Sequence, residues 1–195
     1  MVEIGYKEYV LPEFNDDEIL RYCGVKTADE RFLQTLALCK DELKSVLSPR
    51  ACYTLLPVTI TDDGVDFALF SVNSKHLKKN LNGCKNAVVF VASVGLGVDR
   101  LIAKYGKISP VKALCMQAIG SERAEALAEE VCKGLKAEYG AMRPRFSPGY
   151  GDLALTTQRE IFALLNCQKI LGVSLTDECL MIPSKSVSAF VGVIE

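Results

Sequence analysis

Excess charge of one sign, long apolar runs and histidine are all scarce in this chain, and each scarcity removes a class of function. The 23 basic and 24 acidic residues leave a net charge of −1. That balance gives no electrostatic footprint for nucleic acid, and the one lysine cluster, Lys75-His76-Leu-Lys78-Lys79, reads as the solvated side of a short helix. The longest apolar run, at 87–92, is too short to cross a bilayer, and the amino terminus lacks the order of a signal peptide. No membrane association is expected, and the location should be cytoplasmic. A single histidine and the lack of any C-x-x-C spacing deny a metal site to the eight cysteines at 23, 39, 52, 84, 115, 132, 167 and 179. Most of them lie in apolar stretches, where a reduced thiol packs as a small hydrophobe in a reducing compartment.

What the chain does have is apolar content for a core. At 195 residues and 49% hydrophobic composition, a single domain spanning 1–195 is the expectation, since no repeat, low-complexity segment or long linker divides it. The first twelve residues alternate weakly, as an edge strand would. Ile19, Leu20 and Cys23 then recur at helical spacing before Gly24, and a second helix over 28–47 carries a stripe of Phe32, Leu36, Cys39 and Leu43. Two β-rich runs, 52–60 and 65–70, flank Asp62-Asp63-Gly64, which is hairpin chemistry and predicts the start of the sheet. Asn73 or Ser74 can cap a helix that Asn82-Gly83 ends, and 87–94 is apolar throughout, as in a central strand.

Gly95-Leu-Gly97 follows that strand, so a dinucleotide site must be weighed. Arg100 stands where such a site needs its third glycine, and the following sixty residues are mainly helix and loop. The glycines read better as a sharp turn from sheet to helix, with Asp99 complementing the helix dipole. Ser109-Pro110 opens a long helix over 109–139, with Leu114, Ala118, Ala124, Leu127, Val131 and Leu135 as its core stripe. Beside that stripe runs a row of Ser121, Glu125, Ala128 and Cys132. Further on, Thr157 with Glu160 suggests a capping box for a helix that Asn166 ends, and 186–193 alternates as a strand.

The candidate chemistry lies between the long helix and that capping box, in Arg143-Pro-Arg-Phe-Ser-Pro-Gly-Tyr-Gly-Asp152. Two prolines stiffen this loop, Gly149 and Gly151 allow positive φ or close approach of a ligand, and Arg145 offers a planar donor fork suited to a carboxylate. The spacing Arg145-x-x-x-Gly149-Tyr150 resembles the signature of the S-adenosylmethionine-binding activation domain of cobalamin-dependent methionine synthase. Four further stretches agree in order: Gly95-Leu-Gly-Val-Asp-Arg100, Ala118-Ile-Gly-Ser121 leading into Ala124-Glu-Ala-Leu-Ala-Glu129, Ile161-Phe-Ala-Leu-Leu165, and Thr176-x5-Met-x-Pro183-x-x-Ser186-Val-Ser188. The resemblance covers roughly 87–193.

Element order and resemblance together imply an α+β fold with a mainly antiparallel twisted sheet and packed helices. The resemblance also implies a site made of Arg145, Ser147, Gly149, Tyr150 and Glu125. Arg145 would take the ligand's carboxylate, Glu125 its amino group, and Gly149-Tyr150 the nucleoside, with an acidic residue from the first fifty for which Asp16, Asp17 and Asp29 are candidates. S-adenosylmethionine would be the methyl donor to a cobalamin carried by the partner, a methionine synthase core or related corrinoid protein, after one-electron reduction of cob(II)alamin by a flavodoxin-like donor. The D-x-H-x-x-G pattern of cobalamin-binding modules is missing here, so the chain is expected to be a free-standing activation protein in methionine biosynthesis. It would act as part of a methyltransferase system and would need no catalytic acid, base or metal of its own.

Two departures from the family pattern support an alternative, a docking module for another corrinoid methyltransferase system that has lost the ligand. The chain ends at Glu195, where family members continue to a further tyrosine, and Gly151-Asp-Leu-Ala-Leu155 replaces their Pro, Cys and His. A nucleotide-linked oxidoreductase built on Gly95 and Gly97 is the third reading.

Overall fold

The apolar run at 87–92 forms the middle of the main sheet in the computed structural model, which describes residues 2–194. In chain order the elements are β1 (Gly5–Glu8), α1 (Asp16–Cys23), α2 (Glu30–Lys44), β2 (Arg50–Pro57), β3 (Thr59–Ile60), β4 (Val65–Asp66), β5 (Ser71–Val72), α3 (Lys75–Leu81) and β6 (Asn86–Ser93). The second half holds α4 (Leu96–Ile108), α5 (Pro110–Tyr139), a single 3-10 turn (Leu155–Thr157), α6 (Gln158–Leu165), α7 (Cys167–Ile170), β7 (Ser174–Leu175), β8 (Met181–Ile182) and β9 (Ser186–Val193). The main sheet runs β1-β2-β6-β9, with every neighbouring pair antiparallel. This is the α+β arrangement expected, and among the described residues it leaves no parallel switch point at which a dinucleotide would sit.

Strand β6 is buried on both faces. Val88, Phe90 and Ala92 pack into one core with α1, α2, α4 and α5, while Ala87, Val89 and Val91 enter a second core with α3, α6 and α7. Because side chains alternate along a strand, a continuous apolar run needs cover on both sides, and each fully buried valine contributes about 1.5–3 kcal/mol. In the second core Phe190 of β9 stacks on Phe67 with ring centroids 5.0 Å apart.

Local signals set most of the element ends. Asn15 and Gly24 cap α1, Asp29 caps α2 through a 2.7 Å bond from the Phe32 amide, Ser74 caps α3, and Ser109 with Pro110 starts the 30-residue α5. Gly95 has φ 96°, and a Cβ on Gly97 would come within 2.6 Å of the Val46 carbonyl, so the glycine pair serves the turn and the close seating of α4 on the segment after α2.

Three expectations are corrected. The Asp62-Asp63-Gly64 hairpin forms, but it joins β3 to β4 in a small separate sheet, whereas β2 pairs with β6 across 28 intervening residues. Short-range turn chemistry fixed the hairpin and could not say which sheet it served. Leu114 is 42% exposed while the neighbouring Cys115 is fully buried, because α1, α2 and α4 surround the first half of α5 on more than one stripe. The capping box at Thr157 is absent: Thr157 is helical and its side chain caps nothing, since the 3-10 turn runs straight into α6.

The composition of α5 does not advertise its most buried charges. Glu122 and Arg123 are 5% and 2% exposed and form an ion pair inside the protein. Arg123 also donates to the carbonyls of Pro12 and Glu13 and lies 4.3 Å from the centroid of the Phe14 ring, while Glu122 accepts from the Asn15 amide at 3.2 Å. The pair thereby fastens residues 12–15 to the middle of α5. Glu122→Ala leaves Arg123 buried without its counter-charge and should lower stability by about 3–5 kcal/mol in urea unfolding.

Seven of the eight cysteines are buried and Cys132 is half-buried. All eight thiols should titrate after anaerobic denaturation, while in the folded protein Cys132 should be labelled first.

Candidate functional site

The segment 142–146 runs along the outer edge of β9. The Arg143 amide donates to the Gly192 carbonyl at 2.8 Å, and Phe146 and Phe190 exchange two backbone bonds. Antiparallel pairing there sends Phe146 to the face that Phe190 shares, and Arg145, the residue before it, to the opposite face, over which α5 lies. The result is an ion pair between Arg145 and Glu125, twenty residues apart in sequence, with side chains 24% and 41% exposed. The structure therefore brings together two of the residues picked from the sequence. Ser147 lies two residues beyond Arg145, and its hydroxyl is buried without a partner. Buried hydroxyls normally find a hydrogen bond, so this one is a donor or acceptor left in reserve.

The tip of the loop turns away from the pair. Gly149 has φ 91° and its amide donates to the Leu153 carbonyl at 2.8 Å, closing the turn, while Tyr150 is 56% exposed and lies edge-on to Phe146 at 6.5 Å. Gly149 and Tyr150 are thus on the same loop as Arg145 and Ser147 without touching Glu125.

Two concavities flank the Arg145–Glu125 pair. One, of about 450 Å³, is walled by residues 12–22 and α5 and is acidic, with Glu13, Glu18, Glu122, Glu125 and Glu129 opposed by Arg21. The other, of about 440 Å³, is lined by Cys132, Lys133, Lys136, Arg143 and Arg145, and shares Glu129 with the first. Burial pushes the Cys132 thiol up, against the pull of the nearby Arg145 charge. None of Asp16, Asp17 and Asp29 lines the acidic hollow: Asp16 pairs with Lys40 and Asp29 caps α2. Glu13 and Glu18 are the acidic residues that the amino-terminal segment brings to this hollow. The signal that could have found Glu18 is its helical spacing from Asn15 at the start of α1.

Asp152 anchors the far end of the loop. Its carboxylate accepts from the Ser74 hydroxyl, from the Lys75 amide at 2.8 Å and from the His76 amide at 3.2 Å, which fastens the loop to the start of α3. These bonds, the Ser74 one foremost, hold its carboxyl well below the usual value, at about 2. The ionised form is the one favoured by folding. Its contribution is complete above the unfolded value of 3.8 and is lost as the pH falls through about 2.

The fold and site so far define an α+β domain that sets an arginine loop against a long helix beside an acidic hollow. Residues 133–194 match the family model described as the activation domain of vitamin B12 dependent methionine synthase. A solved structure, the MetH reactivation domain bound to AdoHcy, is similar at a TM-score of 0.72 and 16% identity, covering 98% of this chain and 78% of that one. No curated protein matches the chain in sequence. The chain thus has the activation-domain fold over its length and the family's sequence pattern over its last third. Arg145, Ser147, Gly149 and Tyr150 lie inside the matched stretch, and Glu125 lies before it. No helix among the described residues is long and apolar enough to cross a membrane.

In an NMR titration, the Lys75 and His76 amide shifts should report the protonation of Asp152 with a midpoint of about 2. The same shifts should be flat over that range in Asp152→Asn.

Proposed function

We propose that the cleft between the 143–152 loop and α5 binds S-adenosylmethionine and that the domain presents it to a cobalamin-carrying methionine synthase core. The observation that carries this reading is the meeting of Arg145 and Glu125, with the buried Ser147 hydroxyl two residues further along the same loop. A ligand with both an α-ammonium and an α-carboxylate can replace the arginine–glutamate contact by one bond to each, exchanging one ion pair for two. The donor set fits such a ligand: a guanidinium fork for the carboxylate, a carboxylate for the ammonium, and a buried hydroxyl with no other obligation. Gly149, whose positive φ bends the loop, and the exposed Tyr150 ring are assigned to the nucleoside end.

S-adenosylmethionine supplies an activated methyl group, and the corrinoid on the partner module receives it. The chain's own residues position and neutralise the ligand, and none is assigned a proton transfer. A flavodoxin-like electron donor completes the system on this reading.

Arg145→Ala should weaken S-adenosylmethionine by roughly 2–4 kcal/mol in calorimetric titration, as when one partner of a desolvated charge pair is removed. Arg145→Lys should recover only part, since an ammonium cannot reproduce the two-pronged geometry. The melting temperature should move little, because an ion pair this exposed contributes at most about 1 kcal/mol to folding. Equal binding by wild type and Arg145→Ala would place the site elsewhere. Absence of binding by wild type at millimolar ligand would leave the docking module as the better reading.

A further inference from the structure

One cation on the same helix face is left unused by the proposed site. Lys185 sits at the entry to β9, and its stem lies flat across α5 at Gly120, where a Cβ would come within 3.1 Å of Cγ and 3.2 Å of Cε. Its ammonium reaches the Ser121 hydroxyl at 3.0 Å. Ser121 spends its own proton on the Gln117 carbonyl at 3.0 Å, so toward the lysine it acts as acceptor. An ammonium has three donors, and Lys185 makes no ion pair among the described residues. It is half-buried, and desolvation pulls its pKa below the usual lysine value, with the Asp99 charge opposing that fall. A half-desolvated cation with donors to spare beyond the Ser121 hydroxyl is stabilised by an incoming anion in addition to the field of Asp99.

The position of that anion follows from the helix. Ser121 and Glu125 are one turn apart on the same side of α5, with Cβ atoms about 5–6 Å from each other. Lys185 therefore stands one turn before Glu125, while Arg145 contacts Glu125 itself. The face reads cation, carboxylate, cation. That order complements in charge a zwitterionic amino-acid group, whose ammonium would sit on Glu125 and whose carboxylate would face a cation.

We propose that Lys185 is a specificity-determining contact for the carboxylate of the ligand's amino-acid moiety, shared with Arg145 across Glu125. The inference rests on the S-adenosylmethionine reading of the site and adds to it a means of rejecting ligands that lack the carboxylate. If Lys185 only packed β9 onto α5, removing its charge while keeping its stem would leave ligand selectivity untouched.

The test is calorimetric titration of wild type, Lys185→Met and Lys185→Arg with S-adenosylmethionine and with its decarboxylated analogue. Methionine keeps the unbranched stem over Gly120, so the fold is retained. Lys185→Met should bind S-adenosylmethionine about tenfold more weakly and the decarboxylated analogue as well as wild type does, while Lys185→Arg recovers most of the difference. Unchanged affinity in Lys185→Met, or an equal loss for both ligands, overturns the assignment of Lys185 while leaving the site intact. Failure of wild type to bind S-adenosylmethionine overturns the reading of the site, and this inference with it.

Discussion

The rest of the structure depends on one strand having no polar face. From Ala87 to Ala92, β6 is at most 1% exposed at every residue, so the sheet has to be covered on both sides. One cover is the helical layer dominated by α5, and the other is the smaller layer of α3, α6 and α7. Since β9 pairs with β6 and ends the sheet, its outer edge would expose unpaired backbone groups. The chain occupies that edge with residues 142–146. Edge cover and site are therefore the same segment, and the alternation that sends Phe146 toward Phe190 delivers Arg145 to α5.

Along α5, two arginine–glutamate pairs within a few residues show what burial does to one chemistry. Glu122–Arg123 is sealed, with extra hydrogen bonds to residues 12–15 on both partners. Such a pair returns little net energy compared with apolar packing, but either half is costly to orphan, so it fixes the register of the amino-terminal segment on the helix. Among the described residues Arg145 and Glu125 are joined by one hydrogen bond, and the pair stands partly in solvent. A pair of that kind is weak enough for a ligand to displace. The first holds the wall of the acidic hollow in place, and the second lies between that hollow and the basic one.

The loop between these features is held at both ends and closed by its own backbone turn in the middle. Pairing with β9 fixes 142–146, and the Asp152 carboxylate fixes the other end on α3. Gly151 is squeezed in the process: a Cβ there would meet the His76 ring at 2.2 Å. Between the anchors, Tyr150 projects into solvent with a single edge-on contact to Phe146.

Local chemistry wrote much of this into the sequence. The strand at 87–94, the caps at Ser74 and Ser109-Pro110, the stop at Gly24 and the stiff Arg145 loop could all be read from neighbours within a few residues, because capping, φ restriction and side-chain alternation act over that range. The spaced motif around Arg145 carried the family resemblance for the same reason. What could not be read were relations between distant segments. The hairpin at Asp62-Asp63-Gly64 was legible while its sheet was not, and nothing near Glu122 and Arg123 in the sequence marks the closure of residues 12–15 over them. Of the aspartates named as candidates for the acidic ligand residue, Asp29 caps α2 and Asp16 pairs with Lys40, and Lys185 carried no local signal. Burial and pairing of charges depend on which surfaces meet, and only the packing of α5 against β9 and the amino-terminal segment decided that.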